Sequence, residues 1–334
     1  MRSGSHKRTP AAWASDETPT VAVEPDTLDA MLRRVVQPRP GDNDAPFLVV
    51  GSWNSRTATL YRCRGAGAST DVVVKVGEGW HSSDAFDAFD ATTRLDQMLS
   101  SGRCAARVPA PLGWDTNPPA VLSRHVDGTD LFFMMRDAAH EAWRSTTWSP
   151  DEIAGECGRA LGVFHSSARV ESGGADGLHE VAHAMRLEKG IVDELEIRLV
   201  KAPAFGDFGV HQFRLGADDV LYLLDPPTEQ IIAPVHRDLS AFAFHLTKLI
   251  ETDSPAPPRS EEALCDSFYY GYSETGPTDP TTPLNRWVLR VFEGHKARGL
   301  AHKRLRAGEP LVALKHGADY LQCLAATHFR RPQF

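Results

Sequence analysis

The sequence predicts an α+β fold in which a small strand-rich part is followed by a larger, mostly helical one. Three observations carry this. Between Pro46 and Gly77, three short runs, FLVVGSW, ATLYRCR and DVVVKVG, are rich in β-branched and aromatic residues and are separated by small or turn-forming residues. From Gly128 onward the apolar spacing lengthens to helical periods. The breaks in that half, DSPAPPRS and ETGPTDPTTP, are the Pro-rich kind that separate helices.

Residues 1–44 read as a flexible N-terminal arm, because Pro, Ser, Thr, Asp and Arg dominate there. Within it, Leu28, Met31, Leu32, Val35 and Val36 have the spacing of a short amphipathic helix. The strand-rich part spans 45–126. After the three-strand meander comes one main helix, Ala85 to Leu99, with Phe86, Phe89, Leu95, Met98 and Leu99 as apolar positions and Gly102 past its end. VPAPLGW and PPAVLSRHV are two further strand-sized runs. The helical part spans 127–334. Ser149-Pro-Asp-Glu152 carries an N-cap, a Pro at the first helical position and a capping-box acid, and opens a helix through Ile153, Cys157, Leu161 and Phe164. Further helices are expected over His179–Val200, Glu261–Tyr272 and Asn285–Arg306.

The 334 residues are 42% hydrophobic, enough to build one large or two medium cores. A net charge of −8 gives no global attraction to nucleic acid or anionic membrane. Cys63, Cys104, Cys157, Cys265 and Cys323 are odd in number and never in CxxC spacing, so neither a disulfide framework nor a zinc site is expected. No run approaches the length of a membrane span. These features predict a soluble cytoplasmic protein with no nucleic-acid or membrane partner.

The chemistry is concentrated in FGDFGVHQFRLGADDVLYLLDPP, Phe205 to Pro227, which reads as a loop, a strand, a turn at Gly216–Asp219 and a second strand ending in aspartate. Two carboxylates therefore stand at the ends of a hairpin. Phosphoryl transfer needs such a pair, one to orient an acceptor hydroxyl and take its proton, the other to hold Mg²⁺ against nucleotide phosphates. Asp207 and Asp225 fit those roles.

Taken with these residues, the chain resembles the aminoglycoside phosphotransferase and choline kinase superfamily. Its catalytic loop reads roughly His-Gly-Asp, then Asn five positions after the Asp, then a hairpin ending in Ile-Asp. The resemblance implies a bilobal protein-kinase-like fold with a nucleotide-binding N-lobe and a catalytic C-lobe. It implies ATP and Mg²⁺ as cofactors and a small-molecule hydroxyl acceptor of the aminoglycoside, amino-alcohol or sugar kind. Asp207 would be the catalytic base, and Asp225 and Gln212 the metal ligands. Lys75 in DVVVKVG resembles the strand lysine that contacts the α- and β-phosphates, paired with Asp90 on the following helix. The hairpin Gly51–Thr57 resembles the nucleotide-covering loop, with Ser52, Asn54 and Ser55 over the phosphates. Ser123 and His125 lie in a segment like the hinge that bonds the adenine edge. Val235-His-Arg-Asp-Leu239 resembles the family's Arg-Asp-Leu segment, which assigns Asp238 a structural role beneath the catalytic loop. Gly162-Val-Phe-His165 resembles the family's Leu-Gly-x-Leu-His helix end.

Three departures accompany the likeness. Phe205 replaces the loop histidine, Gln212 replaces the metal-binding asparagine, and aspartate replaces the glutamate partner of the lysine. They motivate the alternative of a weak or inactive kinase fold that binds nucleotide or a partner protein. For the acceptor, Glu180, Glu188, Asp193, Glu194 and Glu196 suit a polycation, whereas the basic C-terminal segment suits an anionic partner. A Walker-type ATPase is excluded, since no GxxxxGK[ST] occurs.

Overall fold

The computed structural model describes residues 22–36, 46–54, 58–65, 71–167, 177–206, 208–228, 231–251 and 257–329. The chain divides into two compact units, one within residues 1–93 and 109–125, the other within 94–108 and 126–334.

The first unit runs α1 (Pro25–Val36), β1 (Leu48–Asn54), β2 (Ala58–Arg64), β3 (Val72–Gly77), α2 (Ser82–Leu99), β4 (Pro111–Thr116) and β5 (Pro119–Arg124), with α2 continuing into the second unit. The strands form one antiparallel sheet in the order β1-β2-β3-β5-β4. Period-two alternation puts Tyr61, Cys63, Val72, Val74, Val76, Ala120 and Leu122 into one buried cluster. Leu28, Met31 and Leu32 of α1 complete it. The stretch read as a flexible arm thus contributes a packed helix, because its three largest apolar side chains cover this sheet face. Polar contacts fix the helix: Arg34 pairs with Asp115 at 2.9 Å, and the Phe47 amide donates to Asp29 at 2.8 Å. Hydrogen bonds from Arg64 and Arg62 hold the Asp71 carboxyl down to about 2 against the opposing effect of burial.

The second unit runs β6 (Gly128–Asp130), α3 (Leu131–Arg136), α4 (Ala142–Ser145), α5 (Pro150–Ser166), α6 (Leu178–Ala184), α7 (Lys189–Arg198), β7 (Lys201–Pro203), a 3₁₀ turn (Val210–Gln212), β8 (Phe213–Gly216), β9 (Leu221–Leu223), β10 (Ile232–Pro234), α8 (His236–Glu251), α9 (Glu261–Thr275), α10 (Pro283–Arg306) and α11 (Pro310–Phe329). β6, β8 and β9 form one small antiparallel sheet, and β7 pairs with β10. The predicted capping box opens α5: Ser149 Oγ accepts from the Glu152 amide, and Glu152 returns a bond to the Ser149 amide. The helix expected over His179–Val200 is instead two, α6 and α7, because Arg186 adopts a left-handed φ of 54° between them.

Residues 94–108, expected in the strand-rich part, belong to the second unit. Leu95, Leu99, Cys104, Ala106 and Val108 share its main core with α5 and α8 side chains. The buried Glu156 carboxylate of α5 accepts the amides of Ala105 and Ala106 and pairs with Arg159 at 2.7 Å. Arg107 exchanges backbone bonds of 2.9 and 2.8 Å with Leu221 and Leu223.

α5 and α9 cross at glycines. A Cβ on Gly158 would lie 2.0 Å from the Phe268 carbonyl oxygen, and one on Gly271 would lie 1.9 Å from that of Gly155. The backbones touch, so any side chain there must push the helices apart. Gly158→Val is expected to destabilise the protein by about 3 kcal/mol or more in urea unfolding, against near-neutrality for a control at Gly190, where no atom lies within 4 Å.

His236 opens α8 fully buried, its Nε2 donating to Asn285 Oδ1 at 2.9 Å, while Asn285 Nδ2 donates to Thr278 and Asp279. Burial pushes its pKa down to about 4. The unfolded chain therefore takes up a proton near pH 6.5 that the folded chain refuses. Stability should fall as pH drops from about 6.5 to about 4, by roughly 3 kcal/mol from this group. A thermal-midpoint series over that range should flatten in His236→Gln relative to wild type.

Candidate active site

In the second unit, the loop between β7 and β8 is held from below by one carboxylate. Asp238, buried in the first turn of α8, accepts from the Phe205 amide at 2.5 Å and the Gly206 amide at 2.9 Å. Its Oδ2 also meets His165 Nε2 at 3.1 Å, and His165 Nδ1 meets the Tyr272 hydroxyl at 2.9 Å. Burial, then the charge of Asp238, push the Tyr272 pKa well above the usual phenol value, so the hydroxyl stays protonated. A carboxylate only accepts, so in its contact with Asp238 the His165 Nε2–H is the donor. The result is a closed chain of bonds from α9 through α5 and α8 to the loop backbone.

Gly206 has φ of 95°, a left-handed conformation that favours glycine, and turns the chain immediately before Asp207. Immediately after it, Phe208 is fully buried, with its ring centroid 5.1 Å from that of Phe205 and 5.5 Å from that of Phe213. The loop is thus anchored on both sides of Asp207, which itself lies outside the described residues. Phe205 occupies a core position, edge-on to Phe164 at 5.5 Å. Its ring extends the aromatic core of the second unit.

Gln212 ends the 3₁₀ turn, and its carbonyl accepts from the Leu224 amide at 2.7 Å. That bond ties the loop to the segment just before Asp225. Asp225 is exposed, directly beyond β9, with a φ of 55° rare for a residue other than glycine. A left-handed non-glycine residue costs energy that the surrounding structure must supply, and such positions cluster at functional sites. A carboxylate and a side-chain amide oxygen on backbone tied in this way are hard donors of the kind Mg²⁺ takes, the rest of its shell coming from water and phosphate. Among the described residues no group of three or more His, Cys, Asp or Glu could hold a metal ion.

In the first unit, strand register defines a second surface. Trp53 lies opposite Leu60, Leu60 opposite Lys75, Lys75 opposite Val121, and Val121 opposite Trp114. Directly paired residues share a face, so these five side chains form one row across all five strands, on the face away from the α1 cluster. Lys75 stands at its centre, its Nζ 5.9 Å from the Trp80 ring centroid. The same ring covers Gly77, where a Cβ would fall 2.0 Å from it. Asp90 lies on α2 of the same unit.

Other predicted residues fall elsewhere. Ser52 and Asn54 pair with Tyr61 and Thr59, so their side chains share the α1 face, not the Lys75 face, and Asn54 Oδ1 accepts from Thr59 Oγ1 at 3.1 Å. Any part they take at the Lys75 face falls to their backbone. Ser55 lies outside the described residues. Ser123 sits in β5 opposite Val73, on the Lys75 face. The His125 amide donates to the Asp71 carbonyl at 2.8 Å and that of Arg124 to Ala110 at 2.9 Å, so these two hydrogens are committed within the protein. Sequence reasoning missed Trp80, Trp53 and the Tyr272 end of the buried chain. Trp80 has a sequence signal, a Gly-Glu-Gly-Trp turn directly after the strand lysine.

The buried chain yields a ranking that urea unfolding can check. Asp238→Ala, which strips two amides and an imidazole of their acceptor, should cost about 3–5 kcal/mol. Tyr272→Phe, which removes one hydrogen-bond partner of His165, should cost about 1–2 kcal/mol.

No protein-family model and no curated protein sequence matches the chain. Solved structures do match. A choline kinase from Cryptosporidium parvum Iowa II has a TM-score of 0.55 at 13% identity, over 92% of this chain and 98% of that one. A Plasmodium vivax ethanolamine kinase has 0.51 at 11% identity, over 89% and 88%. An amicoumacin kinase solved with AMP-PNP and Ca²⁺ has 0.50 at 10% identity, over 86% and 89%. At such identities the likeness is one of fold, and it bears out the fold class expected from sequence: this chain has the α+β, kinase-like fold of the choline, ethanolamine and amicoumacin kinases.

Proposed function

We propose that the chain is a phosphotransferase that moves the γ-phosphoryl group of ATP, with Mg²⁺, to a hydroxyl of a small molecule. The observation that carries this reading is the 205–225 segment. Asp238 braces the backbone that leads into Asp207, and a backbone bond from Leu224 to Gln212 ties the following turn to the segment before Asp225, which is exposed and left-handed.

In this reading Asp207 orients the acceptor hydroxyl. As the hydroxyl oxygen attacks the γ-phosphorus, its proton passes to the Asp207 carboxylate and ADP leaves. Asp225 and Gln212 would hold the metal, which when bound neutralises charge on the phosphate oxygens. Lys75 supplies a point charge to the phosphates, its stem fixed in β3 and its head kept near the Trp80 face. Leu60, Val121 and the two tryptophans of the row offer an apolar surface suited to a purine ring.

A second reading, a nucleotide- or protein-binding fold with little turnover, draws on specific observations. Phe205 is core, Gln212 is one methylene longer than asparagine, and an indole lies beside the lysine.

The two readings part on Mg²⁺-dependent ATP binding and turnover with a panel of amino alcohols, aminoglycosides and sugars. The phosphotransferase reading expects turnover with some acceptor. Asp207→Asn should lower it by about 10²–10⁴-fold with nucleotide binding retained, and Asp225→Asn should abolish the metal dependence of binding. No turnover with any acceptor, together with nucleotide affinity indifferent to Mg²⁺ and to Asp225→Asn, would leave the binding-protein reading.

A further inference from the structure

α10 and α11 pack against each other as a hairpin closed at Gly308, and its closed end carries an unusual surface. Leu311 is 81% exposed, Leu314 70% and Leu305 61%, with Val312 also exposed beside them. Buried Ala313 and His316 fix which way α11 faces, so these leucines point outward. Basic side chains surround them: Lys303, Arg306 and Lys315 are exposed in the same few turns. The one acid at this end, Glu309, is paired with Arg304 at 2.9 Å. From Pro283 to Phe329 the chain has eight Lys and Arg against three Asp and Glu, whereas the whole chain has 36 against 44. Positive charge is thus concentrated where aliphatic side chains protrude.

We propose that the closed end of the α10–α11 hairpin is a docking surface for an anionic lipid bilayer. Charge decides between occupants. A second copy seated on the same face would bring two hairpins of like charge together, which opposes association. An anionic partner is attracted by the same cations. Side chains exposed to this degree stand out rather than line a groove, and a bilayer accepts protruding leucines without a matching pocket. Lys and Arg stems can lie along the interface while their heads reach lipid phosphates. No helix among the described residues is long and apolar enough to cross a membrane, so the contact is one of adsorption. The expectation of no membrane partner rested on long apolar runs and net charge, and neither registers three leucines and a valine brought to one tip by a turn.

The test is co-sedimentation of the full chain with phosphatidylcholine vesicles that contain or lack about one third phosphatidylserine. The proposal expects binding to the phosphatidylserine vesicles, little to phosphatidylcholine alone, and weakening by salt. Leu311→Ser with Leu314→Ser should reduce binding by about tenfold or more. Lys303→Gln with Arg306→Gln should reduce it by roughly fivefold per residue. Ile197→Ser, at an exposed aliphatic position on α7, should change nothing. Because all five positions are exposed, the variants should keep the wild-type thermal midpoint. Equal binding to both vesicles, or full binding by the leucine pair, would overturn the proposal. So would a concentration-dependent dimer in sedimentation velocity that the leucine substitutions dissolve, which would assign the face to a second copy.

Discussion

Much of the second unit answers to one buried carboxylate. Asp238 is the common acceptor for the two amides that begin the loop before Asp207 and for the imidazole of His165, which Tyr272 orients in turn. A carboxylate with no solvent must have its lone pairs filled, and here the backbone just after β7 and the His165 side chain of α5 fill them, with Tyr272 of α9 bonded to the far side of that imidazole. The helices cannot shift without breaking a charge-assisted bond. The glycine crossing of α5 and α9 serves the same end, since it brings Tyr272 close enough to reach His165. The loop geometry is therefore a property of the helical core and not of the loop sequence alone.

This view gives a physical reason why the loop can carry Phe205 where the resemblance leads one to expect a histidine. Phe205 keeps its backbone amide, which is what Asp238 uses, and commits its ring to the cluster of Phe164 and Phe208. Gln212 keeps its carbonyl bond to Leu224, whichever side-chain amide it carries. Two of the departures thus fall on side chains whose backbones carry the local geometry. The lysine surroundings differ in kind. Trp80 packs on Gly77 and places an aromatic face near Lys75, an arrangement that depends on glycine at the end of β3.

The sequence made some elements legible because their determinants are local. The capping box at Ser149, the strand alternation of β2, β3 and β5 and the hairpin ending in Asp225 each follow from residues a few positions apart. What it hid depends on distant partners. The spacing of Leu28, Met31 and Leu32 announces the helix of α1 but not the sheet face it covers, and residues 94–108 belong to the second unit, where Glu156, some fifty positions away, holds the amides of Ala105 and Ala106. The split between α6 and α7 rests on one left-handed residue, Arg186, whose side chain gives no warning of it. The sidedness of Ser52 and Asn54 follows from strand register, which a bulge between Val49 and Gly51 shifts by one.

The central claim is that the loop before Asp207 is held by the protein core through Asp238. Native-state hydrogen exchange at the amides of Phe205 and Gly206 tests it directly. If the account holds, both exchange only through opening as costly as that of the α5 and α8 core, although they lie in a segment without regular secondary structure. Exchange at the rate of an exposed loop, with the α5 and α8 amides still protected, would show that the carboxylate does not hold the loop.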